Sequence, residues 1–313
     1  IFMFLGKLRI SITKILLPFF FKIIKFLKAS TRTANYLNDK KSRANDSYNF
    51  HKEIISLLKD EKLVGMDVGS IGGFNSDGYF PEKYNKFFKT VLIDPFNKTA
   101  EESKKNVIKK GLWSSKVEKK LHVLNKRPDS SSMYEPNKDS LHIYGFKKKD
   151  FNLFDVSKYE TVNCDKLSSS LKELNIDTLD YLKIDTQGAE FEILQGLDDF
   201  RPLVIKCEVQ IIPMYKNQPS WTKVVNLLNE LDYMLTDWKK IGSHATRTPV
   251  EMDMIFIPNI LSENGKRLIL SKKEKFISLM LITGQIKILK ETSKILDLGY
   301  LEIYNKIEDK FFN

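Results

Sequence analysis

The sequence predicts an α/β fold built on a mostly parallel sheet of seven strands, with helices on both faces. Three observations lead to it. Short apolar segments alternate with helical segments through the middle of the 313-residue chain. A glycine-rich turn follows the first apolar segment, and an aspartate ends the second. Such alternation indicates an open parallel sheet, whose ligand site is expected at the carboxyl ends of its strands.

Seven apolar segments are predicted as strands, because each has the length of a buried strand and is bounded by turn residues or a helical segment. Three longer segments are predicted as helices, and the last of them, residues 221–231, repeats apolar residues at helical spacing. The strands are 63–68, 90–94, 120–124, 179–184, 203–209, 233–238 and 252–257, and the helices are 98–109, 188–196 and 221–231. This order predicts one domain over residues 46–258, preceded by residues 1–45 and followed by residues 259–313.

The net charge of +11 is concentrated at the ends of the chain. Residues 1–45 hold ten basic residues and one acidic residue, so +9, and residues 259–313 carry +3, which leaves −1 for the middle. A protein that follows nucleic-acid phosphates is expected to be basic over its core, so no nucleic-acid partner is expected. The only two cysteines, Cys164 and Cys207, exclude a disulfide scaffold and a site of several thiolates.

Residues 1–29 have the pattern of an amphipathic helix. Their longest charge-free apolar run is seven residues, 15–21, whereas a membrane-spanning helix needs about 20. Most of their lysines share one side of a helical wheel and the apolar residues fill the other, as in a helix that lies in the membrane interface. We therefore expect a cytoplasmic protein, peripherally associated with the inner face of an anionic membrane through residues 1–29. Packing on the protein itself, or pairing in a homo-oligomer through the terminal helices, is the alternative.

The C-terminal segment, residues 259–313, is helical in pattern and is predicted to form a helical hairpin that breaks near residues 283–284. Its apolar run 276–282 is too short to span a membrane. Three roles fit this pattern: docking on the domain, pairing with a second subunit, or sharing the membrane face with residues 1–29.

The glycine-rich turn has the spacing acid-x-Gly-x-x-x-Gly, formed by Asp67, Gly69 and Gly73. The dinucleotide fingerprint G-x-G-x-x-G fails here because position 71 is isoleucine. Glycines let a backbone approach a ligand closely, and a carboxylate at a strand end can meet a cationic amino group. Asp94 ends the second predicted strand, where a carboxylate can accept two hydrogen bonds from a ribose diol. The two features together are a stronger signal than either alone.

Three stretches resemble the FkbM-type family of S-adenosylmethionine-dependent methyltransferases. They are 66–73 through 92–95, 110–114 through 130–134, and 180–194 followed by 207–210. The third is the most specific, since Lys-Ile-Asp-x-x-Gly-Ala-Glu is characteristic of this family. The resemblance extends over about residues 60–258. It implies a Rossmann-like class I methyltransferase fold, the cofactor S-adenosylmethionine, and O-methylation of a hydroxyl, often on a sugar or glycan.

The resemblance also implies roles for individual residues of the cofactor site. The turn would line the methionine end of the cofactor, the second-strand acid would hold the ribose, residues 113 and 114 would approach the adenine, and the acid of the third stretch would lie beside the reacting methyl. The cofactor-binding residues expected on this basis are Asp67, Gly69, Ser70, Gly72, Gly73, Asp94, Trp113, Ser114 and Asp185. Asp94 departs from the family, which more usually has glutamate at this position.

Methyl transfer to a hydroxyl benefits from a base that takes the proton. The expected catalytic residues are Asp185, Glu208 and His244. The expected substrate-binding residues are Ser132, Gln187 and Glu190. Each has a structural alternative: Asp185 could cap the following helix, Ser132 could bond within its own loop, and a loop histidine is often only solvated. Gln187 stands where many family members have glutamate. No metal-ligand cluster is visible, so no metal is expected.

The sequence therefore predicts an O-methyltransferase for a hydroxyl of a glycan, glycolipid or other sugar-containing acceptor at a membrane surface. Two alternatives stay open. One is a non-catalytic, membrane-bound scaffold that retains the fold. The other is a methyltransferase that acts on a nucleic acid or a small metabolite.

Overall fold

The computed structural model describes residues 49–69, 72–95, 107–241 and 248–299. The expected N-terminal helix of residues 1–29 lies outside these residues. The described strands are β1 (Leu63–Val68), β2 (Phe88–Ile93), β3 (Val107–Ile108), β4 (Gly111–Leu112), β5 (Val117–Val123), β6 (Lys158–Asp165), β7 (Tyr181–Ile184), β8 (Val204–Gln210), β9 (Tyr233–Ile241) and β10 (Glu251–Pro258). The described helices are α1 (His51–Leu58), α2 (Leu167–Glu173), α3 (Glu190–Gln195), α4 (Trp221–Glu230), α5 (Glu263–Ser271), α6 (Lys273–Thr283) and α7 (Ile286–Leu296).

The main sheet has the strand order β3-β2-β1-β7-β8-β10-β9 across the described residues. Neighbouring strands from β3 to β8 are parallel, and β10 runs antiparallel to both β8 and β9. This mostly parallel sheet confirms the mixed α/β class. The strand order reverses beside β1, and a crevice at the carboxyl ends of the strands forms at such a reversal.

The predicted third strand, residues 120–124, does not belong to the main sheet. It is part of β5, which pairs antiparallel with β6 in a second sheet of order β4-β6-β5. In β5 only Leu121 and Val123 are buried, which is the one-sided burial of an antiparallel strand rather than the two-sided burial of a parallel one. The two-residue strand β3 holds the edge of the main sheet instead.

Apolar side chains cover both faces of the main sheet. One face packs against α2, α3 and α4 through residues such as Ile184 and Cys207. The other face packs against α1, the segment 74–88 and the C-terminal helices. No α-helix follows the glycine turn in the described chain; turns lead into a short 3₁₀-helix at Glu82–Phe87. Aromatic rings fill this space, with Phe80 stacked on Phe88 at 5.5 Å.

The described part of the C-terminal segment docks on the domain. Every residue of α6 from Phe276 to Thr283 is buried, in a cluster that also contains Ile54 of α1 and Leu289 of α7. Helix α6 ends at Thr283, at the position of the expected break. Among the described residues, no helix is long and apolar enough to cross a membrane.

A third apolar cluster joins the loops beyond the carboxyl end of β8. Leu124, Leu141 and Phe154 pack there against Met214 and Tyr215. We refer to residues 124–157 as the cap segment. It contains three short 3₁₀-helices, Pro128–Ser130, Lys138–Ser140 and Lys148–Phe154. The cap segment therefore lies beside the end of the sheet where a ligand site is expected.

Candidate active site

Charged side chains form a row across the face of the sheet that α1 covers. Asp67 of β1 is paired in register with Lys183 of β7, and Lys183 with Lys206 of β8. All three side chains are buried. Buried charge is costly unless it is paired, so this row needs partners, and the structure supplies them.

Both carboxylate oxygens of Asp67 have protein partners. Lys183 Nζ lies 3.2 Å from its Oδ1, and the Asn75 backbone N–H donates to its Oδ2 at 3.3 Å. Burial raises the pKa of Asp67 to about 6, although Lys183 opposes this shift. Burial would lower the pKa of Lys183, but the carboxylates of Asp67, Asp185 and Asp77 outweigh it and raise that pKa above its usual value. Contact between Asp67 and a cofactor stays a prediction, since both of its oxygens already serve the fold.

The glycine turn is set by the close approach of β1 and β7. Gly69 has a φ of +80°, and a Cβ at this position would lie 1.8 Å from the Asp185 carbonyl oxygen. Gly73 has a φ of +94° and nothing within 4 Å of its Cβ position. The first glycine is required by packing, whereas the second leaves open backbone that a ligand can approach. Gly72 also has a positive φ; Ser70 lies outside the described residues.

Two polar side chains, the buried Asn75 and the partly exposed Asp77, hold the loop after the turn. Asn75, with a φ of +58°, donates from Nδ2 to the Phe80 carbonyl at 2.8 Å and accepts from the Phe80 N–H. Asp77 pairs with Lys206, which also pairs with Asp253 at 2.9 Å. Burial would raise the pKa of Asp77, but Lys206 and Lys183 lower it below its usual value. The loop is therefore held by an ion pair to β8 and by the hydrogen bonds of Asn75, in addition to the packing of its aromatic rings.

Asp185 and Glu208 lie at the carboxyl ends of β7 and β8 and share one amide donor. Gln187 Nε2 lies 3.1 Å from Asp185 Oδ1 and 3.4 Å from Glu208 Oε1. Lys183 Nζ lies 3.7 Å from the other Asp185 oxygen. Burial, together with Asp185 and the acids Glu251 and Asp253, raises the pKa of Glu208 well above its usual value. The protonated form of Glu208 is thereby favoured beside the Asp185 carboxylate.

Two of the expected substrate-binding residues, Ser132 and Glu190, bond to the loop that contains Gln187. Ser132 is buried, and its hydroxyl donates to the Gln187 carbonyl at 2.6 Å. Glu190 is buried and accepts from the Thr186 N–H and hydroxyl, both at 3.0 Å, and from the Gly188 N–H. Burial raises the pKa of Glu190 to about 7. Both residues therefore bond the loop of residues 186–188, and their contact with a substrate stays a prediction. Gln187 itself is partly exposed.

Of the remaining predicted residues, Asp94 follows β2, and Trp113 and Ser114 follow β4. Asp94 is buried at the end of β2. Trp113 is buried, with Lys119 Nζ 4.0 Å from the centroid of its ring system and the Tyr134 ring 5.8 Å away. Ser114 beside it is partly exposed. An adenine contact of these two residues stays a prediction, and His244 lies outside the described residues.

Sequence reasoning missed four residues that organise the site: Asn75, Lys183, Lys206 and Tyr215. A signal existed for the lysines, because each is a charged residue inside an apolar strand and therefore needs a buried partner. Neither Asn75 nor Tyr215 has such a signal, since their partners are set by loops. In the described part of the chain, no group of three or more His, Cys, Asp or Glu side chains is arranged to hold a metal ion.

The sheet order, the glycine turn after β1 and the acids at the ends of β2, β7 and β8 are consistent with a methyltransferase-like fold. The family model for the methyltransferase FkbM domain matches residues 77–235, just over half of the chain, and the chain belongs to this family. The match is narrower than the resemblance over 60–258 and begins after the glycine turn. No curated protein matches the chain.

Proposed function

We propose that this FkbM-family methyltransferase is an S-adenosylmethionine-dependent O-methyltransferase, acting on a hydroxyl of a glycan, glycolipid or other sugar-containing acceptor at a membrane surface. The observation that carries the proposal is the Asp185–Gln187–Glu208 arrangement. It places a carboxylate, an amide donor and a carboxyl group that favours its proton within 3.1–3.4 Å contacts at the ends of β7 and β8. The glycine turn approaches the same place, since Gly69 packs on the Asp185 carbonyl.

The residues present fit the proposed cofactor. The open backbone at Gly73 leaves room for the methionine end. The carboxyl group of Asp94 has the right chemistry for a ribose diol at the end of β2. S-adenosylmethionine, when bound, supplies an electrophilic methyl group on a sulfonium. The protein then has to align the acceptor oxygen with that methyl and receive the proton of the hydroxyl.

Asp185 is the proposed base. The Gln187 amide and Lys183 hold its two oxygens from different sides, which fixes the carboxylate while leaving it partly exposed. Glu208, in its protonated form, can donate a hydrogen bond to an oxygen of the acceptor. Alignment can lower the barrier by about 7–11 kcal/mol, and a base typically adds a factor of about 10²–10⁴.

Two observations bear on the alternatives. The near-neutral charge of the middle of the chain disfavours a nucleic-acid acceptor. The retained glycine turn and strand-end acids disfavour a non-catalytic scaffold. A small-metabolite acceptor is the remaining alternative, and the sugar class rests on the resemblance described above.

Calorimetry with S-adenosylhomocysteine tests the enzyme proposal. We expect the full chain to bind it and Asp94→Ala to bind at least about tenfold more weakly, because two hydrogen bonds from ribose to a carboxylate are lost. Asp155→Ala is the matched control: it removes an exposed carboxylate whose partner is Lys138 on the surface, and its affinity should equal that of the parent. No heat of binding for the parent chain would reject the enzyme.

A methylation assay on cell extract tests the acceptor. Labelled S-adenosylmethionine is added with the protein, and labelled products are identified by mass spectrometry. An O-methylated sugar in a glycan or glycolipid supports the proposal. A labelled nucleic acid or a labelled small metabolite would replace it with that alternative.

Flotation with anionic liposomes tests the proposed position on the inner face of a membrane. The full chain should float with the vesicles. A chain without residues 1–29 should not, and replacing Lys14, Lys22, Lys25 and Lys28 with glutamate should also release the protein, since each basic residue near an anionic surface contributes about 1 kcal/mol. Equal flotation of the shortened chain would reject the anchor. An oligomer that forms without vesicles and needs residues 1–29 would favour the pairing alternative.

A further inference from the structure

Tyr215 contacts the site through Gln187. It lies in the loop after β8 and is fully buried. Its hydroxyl oxygen is 2.9 Å from Gln187 Oε1 and 2.9 Å from the Ser130 carbonyl oxygen of the cap segment. Gln187 is therefore held at two points: Ser132 bonds its backbone carbonyl, and Tyr215 bonds its side chain.

The orientation of the Gln187 amide decides whether Asp185 and Glu208 face a hydrogen-bond donor or an acceptor. An amide has a donor end and an acceptor end, and only the donor end suits a carboxylate. With Nε2 towards Asp185 and Glu208, Oε1 must face Tyr215, where it needs a donor. Tyr215 is that donor, and its single hydroxyl proton is shared between Gln187 Oε1 and the equidistant Ser130 carbonyl oxygen. Without its hydroxyl, Oε1 would lose this partner, and the amide would lose the hydrogen bond that favours this orientation.

We propose that Tyr215 is a positioning residue of the active site, whose hydroxyl fixes the Gln187 amide so that its NH₂ group donates to both Asp185 and Glu208. The inference rests on the proposed function, which assigns these two carboxyl groups to the acceptor. It adds a residue 28 positions from Gln187 in sequence. It also makes the cap segment part of the site, because the same hydroxyl contacts Ser130.

The ionisation of Glu208 reports this arrangement. Burial is the largest cause of the raised pKa of Glu208. The neighbouring acids Asp185, Glu251 and Asp253 raise it further, and Lys206 lowers it. None of these groups changes when Tyr215 is altered. The amide donor stabilises the ionised form of Glu208, so a rotated amide raises the pKa of Glu208 further. Loss of one hydrogen bond to a charged group corresponds to a rise of about one pH unit.

The experiment is an NMR titration of the full chain labelled with ¹³C at its carboxyl groups, with the Glu208 signal assigned from Glu208→Gln. Tyr215→Phe should raise the pKa of Glu208 by about one pH unit. Tyr144→Phe is the matched control, because Tyr144 packs in the same cluster but its hydroxyl donates to the Ile212 carbonyl, with the Val250 carbonyl 3.2 Å away. It should leave that pKa unchanged.

Repeating the substitution in a Gln187→Leu variant distinguishes an effect of Tyr215 through Gln187 from a general loss of packing. Gln187→Leu should raise the pKa of Glu208 by itself, and Tyr215→Phe added to it should cause no further change, because Tyr215 acts through Gln187. The inference is overturned if Tyr215→Phe has no effect, or the same effect in both backgrounds. If Tyr215→Phe does not fold, an unchanged pKa in Gln187→Leu overturns it. Calorimetry with S-adenosylhomocysteine on the same samples tests the proposed function separately. No binding by the parent chain would reject the proposed function, whereas the pKa of Glu208 alone decides the role of Tyr215.

Discussion

Asp185→Asn should lower the rate of methyl transfer by about 10²–10⁴-fold, the usual contribution of a general base. Asparagine keeps the shape of the side chain but cannot take the proton of the acceptor hydroxyl. In the parent protein, Lys183 and Gln187 stabilise the Asp185 carboxylate. The asparagine amide would place a donor beside these two donors. The rate is measured as labelled methyl incorporated into the acceptor fraction of the extract assay, with S-adenosylhomocysteine affinity measured in parallel.

Glu208→Gln is the informative comparison. Burial and the neighbouring acids already favour the protonated form of Glu208, and glutamine resembles that neutral form. We therefore expect a loss of less than about tenfold, well below the effect of a missing base. Equal losses in the two variants, or full activity of Asp185→Asn, would show that Asp185 is not the base and that alignment alone carries the reaction.

Gly69→Ala should lower the free energy of unfolding by more than about 3 kcal/mol, because backbone strain and a displaced neighbour add together. The new Cβ would meet the Asp185 carbonyl oxygen at 1.8 Å, and the φ of +80° disfavours any L side chain. The ends of β1 and β7 would have to separate. Urea unfolding of both proteins under identical conditions measures the difference.

Gly73→Ala introduces backbone strain without the steric clash that Gly69→Ala would cause. Its φ of +94° is also unfavourable, but nothing lies within 4 Å of the Cβ position. The expected loss is about 1–3 kcal/mol, from backbone strain alone. If the two alanine variants lose the same free energy, the contact between Gly69 and the Asp185 carbonyl does not constrain the fold.

The central strands could be predicted because β1, β7 and β8 are buried on both faces and read as apolar runs. The smaller sheet could not, since β6 buries only Val162 and Cys164 and its remaining residues resemble a polar loop. The edge strand β3 has two residues, too few for any pattern. Burial on both faces leaves a signal in local composition, whereas pairing at an edge depends on partners far along the chain.

The same distinction separates the site residues. Asp185 and the glycines could be found because a strand end and its turn are adjacent in sequence. Tyr215 could not, because its two partners lie 28 and 85 positions away. Gln187 stands where many family members have glutamate, and an amide suits this place because it lies between two acids, where a third carboxylate would be repelled.

The burial of α6 has a consequence for how the protein is made. The apolar residues of Phe276–Ile282 belong to the same cluster as Ile54 and Leu63, which lie near the other end of the described chain. On the ribosome, α1 and the first strand emerge long before their packing partner. That face of the sheet lacks this cover until residues 276–283 have been synthesised, so the packing around α1 cannot be completed before α6 has left the ribosome.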